Sequence, residues 1–337
     1  MRAAVFYGNK EIRVEDRAVR PLKPDEILID VKAAGICGTD IHLYNGFGGA
    51  TDCEPPIVLG HELAGVVSQV GSAVKNFKIG DRVCVDPNVM CGGCEMCRKG
   101  DVQFCENMYA TGVNYDGGFE EQCIVLEKQA FLLSDSVSFE AGAMCEPLAC
   151  ALHGFDISNV KLGSQVLIIG GGTIGMIMLQ LCKNAGAARI AVSEPDISKH
   201  ALALDLGADC VTDPIHQDVE QALKDAGVTH LDVVIECVGR PGTMEDAVRL
   251  AGRGATVMLF GLGTSEDVMK LAPFELFRKE LTIKTSYVNP LTQGRSVALL
   301  NAGMIELDRL VVEIIPLEKL EAALQAPSQA GKVIVRP

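Results

Sequence analysis

The stretch Gln165-Val166-Leu167-Ile168-Ile169-Gly170-Gly171-Gly172-Thr173-Ile174-Gly175 decides the fold. A short apolar run bounded by glycines reads as a strand buried on both faces. Gly170, Gly172 and Gly175 then meet the spacing G-x-G-x-x-G, with Ile174 inside it, and a helical pattern follows over about 174–185. Such glycines permit a tight turn, let the backbone approach a pyrophosphate closely, and let the helix pack on the strand. The helix start offers free N–H groups and a positive dipole end to the phosphates. The motif alone is weak, but its strand–turn–helix setting is met, and Glu194 closes the next apolar run, 189–193. A carboxylate there accepts hydrogen bonds from an adenosine ribose and repels a 2′-phosphate, which favours NAD over NADP. Lys199, one helical turn on, is a second candidate for the ribose, and its charge leaves an opening for NADP.

Outward from this turn the strand–helix alternation continues, with a helix over about 198–206 and strands near 231–235 and 255–260. Repeated βα units predict a parallel sheet covered by helices on both faces, a Rossmann-type doubly wound α/β domain over 151–286. Residues 1–150 read differently. Ile27, Ile29 and Val31 alternate with polar neighbours, Arg82–Asp86 forms another short run, and glycine and proline punctuate the segment. That pattern predicts a twisted antiparallel β domain with long loops. After residue 286, helices near 295–302 and 317–324 precede a last strand, 332–336. Its return to the first sheet would make that domain discontinuous, 1–150 plus 287–337.

Composition narrows the function. The 337 residues suit about two domains. A net charge of −14, from 30 Lys and Arg against 44 Asp and Glu, argues against nucleic-acid or anionic-membrane partners. No secretory leader and no apolar span is apparent, so a cytoplasmic protein is expected. Thirteen cysteines, an odd number, point to metal or thiol chemistry rather than a disulfide framework. Cys84, Cys182 and Cys237 lie in apolar runs and read as small buried residues. Cys91, Cys94, Cys97 and Cys105, set among Gly92, Gly93 and Gly100, match a closed tetrahedral zinc site in a lobe over about 88–108. Short cysteine spacings also serve iron–sulfur clusters, the competing assignment.

Two further segments, Gly35-Ile36-Cys37-Gly38-Thr39-Asp40-Ile41-His42 and Gly60-His61-Glu62, acquire meaning beside the nucleotide turn. With the cysteine lobe and the terminal return they make the whole chain resemble the zinc-containing medium-chain alcohol and polyol dehydrogenases. The resemblance implies a GroES-like, mainly β catalytic domain beside the Rossmann domain. It also implies two Zn2+ per subunit, one catalytic and one structural, and NAD as cofactor. It assigns Cys37 and His61 to the catalytic zinc, with Glu62 as third ligand in the sorbitol and threonine branch. Glu146 stands at the later position of that branch, holding zinc-bound water or binding zinc itself; a slip of one residue would put Cys145 there. Thr39 and His42 take the proton-relay positions, and Asp40 the acceptor for His61. Gly261, Leu262, Ser286 and Tyr287 fall near the nicotinamide.

The resemblance further implies oxidation of a secondary hydroxyl of a small-molecule polyol to a ketone, reversibly. Threonine, butanediol or polyol-phosphate oxidation in the same family is the alternative. Leu43, Val288 and Asn289 depart from sorbitol dehydrogenase, and Asn289 is a candidate substrate contact. Tyr44 and Phe47 are candidates to line the pocket, and Arg295 is the residue that a phosphorylated substrate would use. A zinc-free quinone reductase would lack the ligand set, and a redox sensor that binds NAD without catalysis would have lost relay or ligand residues. An edge strand near 281–285 suits pairing across a two-fold axis, and a homodimer or homotetramer is expected.

Overall fold

The computed structural model describes residues 1–47, 53–326 and 331–337. The chain forms two compact units, Met1–Ala149 with Asn289–Pro337, and Cys150–Val288.

The first unit is built on a seven-stranded sheet. Its main path runs Ala130–Leu132, Arg82–Val85, Glu62–Val70, Glu26–Gly35, Lys332–Arg336 and Val311–Pro316, and Gln122–Leu126 also pairs with Glu26–Gly35. The long strand Glu26–Gly35 buries almost its whole length, because Ile27, Leu28, Ile29, Val31, Ala33 and Ala34 all face packed neighbours. The last strand does return here: Ile334 and Val335 pair antiparallel with Gly35 and Ala34. A smaller sheet of Ile12–Asp16, Arg2–Phe6 and Ile57–Val58 lies at the N-terminal side, unmarked in the sequence by strict alternation. Glycine is compulsory at Gly65, where a Cβ would stand 2.1 Å from the Asp30 carbonyl oxygen.

The second unit is a six-stranded, wholly parallel sheet. Its order is Cys210–Thr212, Arg189–Ser193, Gln165–Ile169, Val233–Glu236, Thr256–Leu259 and Thr282–Thr285. The order reverses beside Gln165–Ile169, and ligands of such sheets bind outside the carboxyl ends of the strands at that point. Strands Gln165–Ile169 and Arg189–Ser193 have the expected bounds, and the helix after the glycine turn is Thr173–Asn184. The helix expected over 198–206 begins with a 3-10 turn, Ile197–Lys199, because the Asp196 carboxylate accepts from Ser198 N–H and tightens the entry. Cys84 and Cys182 are buried as read; Cys237 is partly exposed, since it sits just past the end of its strand.

Candidate metal and cofactor sites

Cys37 precedes the helix Gly38–Asn45, and Asp40 folds its carboxylate back onto Cys37 N–H at 2.8 Å. This turn fixes the thiol at the end of the strand Glu26–Gly35. His61 and Glu62 arrive from the start of the paired strand Glu62–Val70, and Glu62 lies opposite Gly35 in the register. One donor atom each from Cys37, His61 and Glu62 lies within 4.8 Å of the others. Glu62 is fully buried and His61 nearly so.

Asp40 Oδ1 stands 3.5 Å from His61 Nδ1, and neither atom has a closer hydrogen-bond partner. Burial alone would push the imidazole pKa down, but the charges of Asp40 and Cys37 outweigh it and hold it well above its ordinary value. The cluster therefore attracts positive charge. A thiol, an imidazole and a carboxylate converging in such a field fit a zinc ion with a position left open.

Sequence reading missed Lys332. Its ammonium is buried and donates to both Glu62 oxygens at 2.7 Å and to the Ile36 carbonyl oxygen at 3.0 Å. Burial works against that charge, yet Glu62, Cys37 and Glu146 together keep the lysine pKa above its ordinary value. The available signal was a lysine opening the apolar run Lys332-Val333-Ile334-Val335.

Glu146 opens the helix Cys145–Ser158 and is buried, outside the converging triad but close enough to act on Lys332. Cys145 is also outside the triad. Its thiol pairs with that of Cys84, and this contact with burial drives its pKa well above the ordinary value. Thr39 and His42, three residues apart on one helix face, are both half-buried; the His42 ring meets Phe47 edge-on at 6.3 Å.

Cys91, Cys94, Cys97 and Cys105 also converge within 4.8 Å. Backbone N–H groups point at their sulfurs: Gly93 and Cys94 at Cys91, Cys97 at Cys94, and Cys91 at Cys105. The N–H groups of Gly93 and Cys94 draw the Cys91 thiol down to about 6, whereas burial and the neighbouring thiols push Cys97 up to about 12, so a bound cation is what would make all four thiolates.

Two candidate substrate contacts, Tyr44 and Asn289, are corrected. Tyr44 is a core residue, 1 % exposed, its hydroxyl donating to the Lys10 carbonyl oxygen. Leu43 is buried with it. Asn289 is wholly buried too; it accepts from Asn88 Nδ2 at 2.6 Å and donates to Asp86 at 3.1 Å, so its amide is already used. Phe47 is exposed, and so is Arg295 on the helix Gln293–Asn301.

In the second unit the expected cofactor residues gather at the carboxyl ends of the strands. Gly170, at φ +99°, starts the turn, and a Cβ on Gly175 would stand 1.9 Å from the Gly170 carbonyl oxygen. Ile174 lies in the helix's first turn. Gly172 opens onto space with nothing within 4 Å of a Cβ, room that a pyrophosphate would fill. Glu194 is buried, accepting from Gly171 N–H at 2.7 Å and Asp196 N–H at 2.9 Å, with Lys199 Nζ at 3.6 Å. Gly261 and Leu262 follow the strand Thr256–Leu259, and Ser286 and Tyr287 follow Thr282–Thr285. These residues fit a dinucleotide.

Comparison with known proteins agrees with this geometry. The alcohol dehydrogenase GroES-like domain matches residues 23–135, and the zinc-binding dehydrogenase domain matches 173–300. The sorbitol dehydrogenase of Bacillus subtilis (strain 168) is 33 % identical, covering 100 % of this chain and 97 % of its own. The chain belongs to the zinc-binding alcohol and polyol dehydrogenase family. The L-idonate 5-dehydrogenase of Vitis vinifera is also 33 % identical, over 98 % of this chain and 93 % of that protein. A chain from Sinorhizobium meliloti 1021, named a zinc-binding dehydrogenase and solved bound to NADP, superposes with a TM-score of 0.95 at 39 % identity. It covers 100 % of this chain and 99 % of that one. The protein is therefore a zinc-dependent oxidoreductase with a GroES-like domain and a Rossmann domain, acting on a small-molecule alcohol.

Proposed function

We propose that the chain oxidises one secondary hydroxyl of a sugar alcohol to a ketone, with NAD taking the hydride. The catalytic zinc would be held by Cys37, His61 and Glu62, and a structural zinc by Cys91, Cys94, Cys97 and Cys105. The observation that carries this reading is the acidic third donor: Glu62 converges with Cys37 and His61 while Cys145 is occupied by Cys84. Zinc supplies Lewis acidity that makes the substrate hydroxyl a stronger acid. Asp40 orients the His61 imidazole, and Lys332 holds Glu62 in place. Glu146 sits beside them to hold a water or to enter the ligand shell. Thr39 and His42 pass the hydroxyl proton outward, a hydroxyl and an imidazole being suited to a relay.

At the cofactor, Gly170, Gly172 and Gly175 receive the pyrophosphate and Glu194 the adenosine ribose. Glu194 and Asp196 put two carboxylates where a 2′-phosphate would lie, against one ammonium from Lys199, and this supports NAD over the NADP of the Sinorhizobium relative. A cytoplasmic location accords with thirteen cysteines, none of them in a disulfide among the described residues. A homodimer or homotetramer accords with the edge strand Thr282–Thr285 and the nearby exposed Phe274 and Phe277.

The test is NADH formation by zinc-loaded protein across sorbitol, xylitol, arabinitol, a polyol phosphate, L-idonate, threonine, butanediol and ethanol. Turnover highest on an unphosphorylated polyol supports the reading. Preference for threonine, butanediol or the phosphate assigns another substrate to the same chemistry. Binding of NAD without turnover of any substrate would favour a redox sensor.

A further inference from the structure

Glu194, Asp213 and Glu236 are buried at the carboxyl ends of strands of the parallel sheet, and only Glu194 has a role so far. Glu236 ends the strand Val233–Glu236 and is fully buried. Its side chain accepts from Val238 N–H at 2.8 Å, from Gly239 N–H at 2.9 Å and from the Thr243 hydroxyl at 2.7 Å. Its own carbonyl oxygen accepts from Phe260 and Gly261 N–H, both at 2.9 Å. A Cβ on Gly261 would stand 2.1 Å from Gly239 N and 2.7 Å from Glu236 Oε2. Glu236 thus binds together the loops that follow two neighbouring strands, with glycines allowing the backbones to touch.

Two backbone N–H groups donate to the Glu236 carboxylate, and the Thr243 hydroxyl lies between it and the Arg240 carbonyl oxygen, at 2.7 and 2.9 Å. Among the described residues no lysine, arginine or histidine forms an ion pair with it. A buried anion satisfied only by neutral donors gains from a nearby cation. The sheet order shows where one would arrive. Glu194 lies on the Arg189–Ser193 side of the reversal, the adenosine half of a bound dinucleotide, so the other half lies over the end of Val233–Glu236. In NAD+ that half carries a positively charged ring; in NADH the ring is neutral.

We propose that Glu236 is a positioning residue for the nicotinamide half of the cofactor, and that its buried charge makes the site favour NAD+ over NADH. The inference rests on the nicotinamide reading above. A fixed negative charge strengthens binding of the cationic ring and leaves the neutral one nearly unaffected, so it raises affinity for the oxidant that consumes an alcohol.

The test measures equilibrium binding of NAD+, NADH and ADP-ribose to wild type, Glu236→Gln and Glu236→Asp by titration calorimetry. Glutamine keeps the shape and removes the charge; aspartate keeps the charge. The expected result is a five- to ten-fold weaker NAD+ affinity in Glu236→Gln, with NADH and ADP-ribose changed less than two-fold. In Glu236→Asp the ratio of NAD+ to NADH affinity should stay at the wild-type value. Equal weakening of all three ligands in Glu236→Gln, or no weakening of any, would overturn the proposal. If Glu236→Gln fails to fold, Glu236→Asp decides: a retained ratio supports the charge, and a lost ratio rejects it. Wild type that binds none of the three ligands would remove the cofactor reading itself, a result distinct from a wild type that binds all three with an unchanged ratio in the variant.

Discussion

The two metal-donor sets of the first unit are built on opposite plans. The four-cysteine lobe is an exposed loop whose thiols are met by their own backbone N–H groups, and Cys91, Cys94 and Cys97 are all partly or fully exposed. The Cys37–His61–Glu62 set has a half-buried thiol and two buried donors, mixes three donor chemistries, and depends on Asp40 from the adjoining helix and on Lys332 from the last strand, 270 positions from Glu62. Four thiolates saturate a zinc ion and leave nothing for substrate, whereas three unlike donors leave a place open. On the proposed reading, the difference teaches that the lobe's order would come from a bound metal and the triad's order from the fold.

Removing a lobe cysteine should therefore have the largest effect. A structural zinc contributes on the order of 10 kcal/mol to the folding of a small metal lobe. Cys97→Ala should release the lobe's zinc and expose 88–108 to limited proteolysis, while the sheet's circular dichroism persists. A lobe that stays protease-resistant after metal loss would break the comparison.

Lys332→Met comes next. It strands the buried Glu62 charge, and breaking one side of a buried pair costs about 3–5 kcal/mol. Denaturant unfolding of metal-free protein should show a loss of this size, mostly recovered in the Lys332→Met, Glu62→Gln double variant. If the single variant is as stable as wild type, Lys332 is not what holds the triad.

Glu120 sharpens the contrast as a buried acid without a lysine. It is 2 % exposed, Oε2 has no hydrogen-bond partner, and burial followed by the Asp116 charge pushes its pKa up to about 9, against Arg17 and the N-terminus. A carboxyl raised in the folded state takes up protons on folding, so its stability contribution is fully present below pH 4.5 and falls as pH climbs toward 9. At 1.36 kcal/mol per unit this amounts to about 2–3 kcal/mol between pH 5 and pH 7. The stability of Glu120→Gln relative to wild type should rise by that amount across this interval, as read from urea midpoints at the two pH values. A constant difference would contradict the assignment.

The smallest effect is expected for Asp40→Asn. Loss of a partner behind a histidine ligand weakens zinc binding about 10- to 100-fold. Competition with a chelator should show this for one zinc and leave the lobe's zinc untouched.

The legible parts of the molecule share one property: their chemistry is local in sequence. The strand Gln165–Ile169 with its glycine turn, the four cysteines within fifteen positions, and the return strand Lys332–Arg336 could all be read directly. Lys332 could not, because its partner Glu62 is 270 positions away and its place at the head of an apolar run does not identify that partner. Asn289 and Tyr44 are pocket candidates by their positions in the sequence, yet partners remote in the chain, Asp86 and Asn88 for one and Lys10 and Gln325 for the other, draw them inside. Glu236 was silent for a different reason: its side-chain partners Val238, Gly239 and Thr243 are local, but nothing in the sequence marks it as buried. A buried carboxylate looks like any charged residue until the loops it ties are in view.

The most direct test of the account combines zinc content with hydride transfer in Cys37→Ala and Cys97→Ala, beside the wild type. The account predicts that Cys37→Ala keeps its circular dichroism, NAD binding and the lobe's zinc, loses the second zinc, and forms NADH from the best polyol at least about 1,000-fold more slowly, a barrier increase of about 4 kcal/mol. Cys97→Ala should lose the other zinc. Near-wild-type NADH formation by a Cys37→Ala protein that lacks the second zinc would contradict the central claim that the chemistry takes place at Cys37, His61 and Glu62.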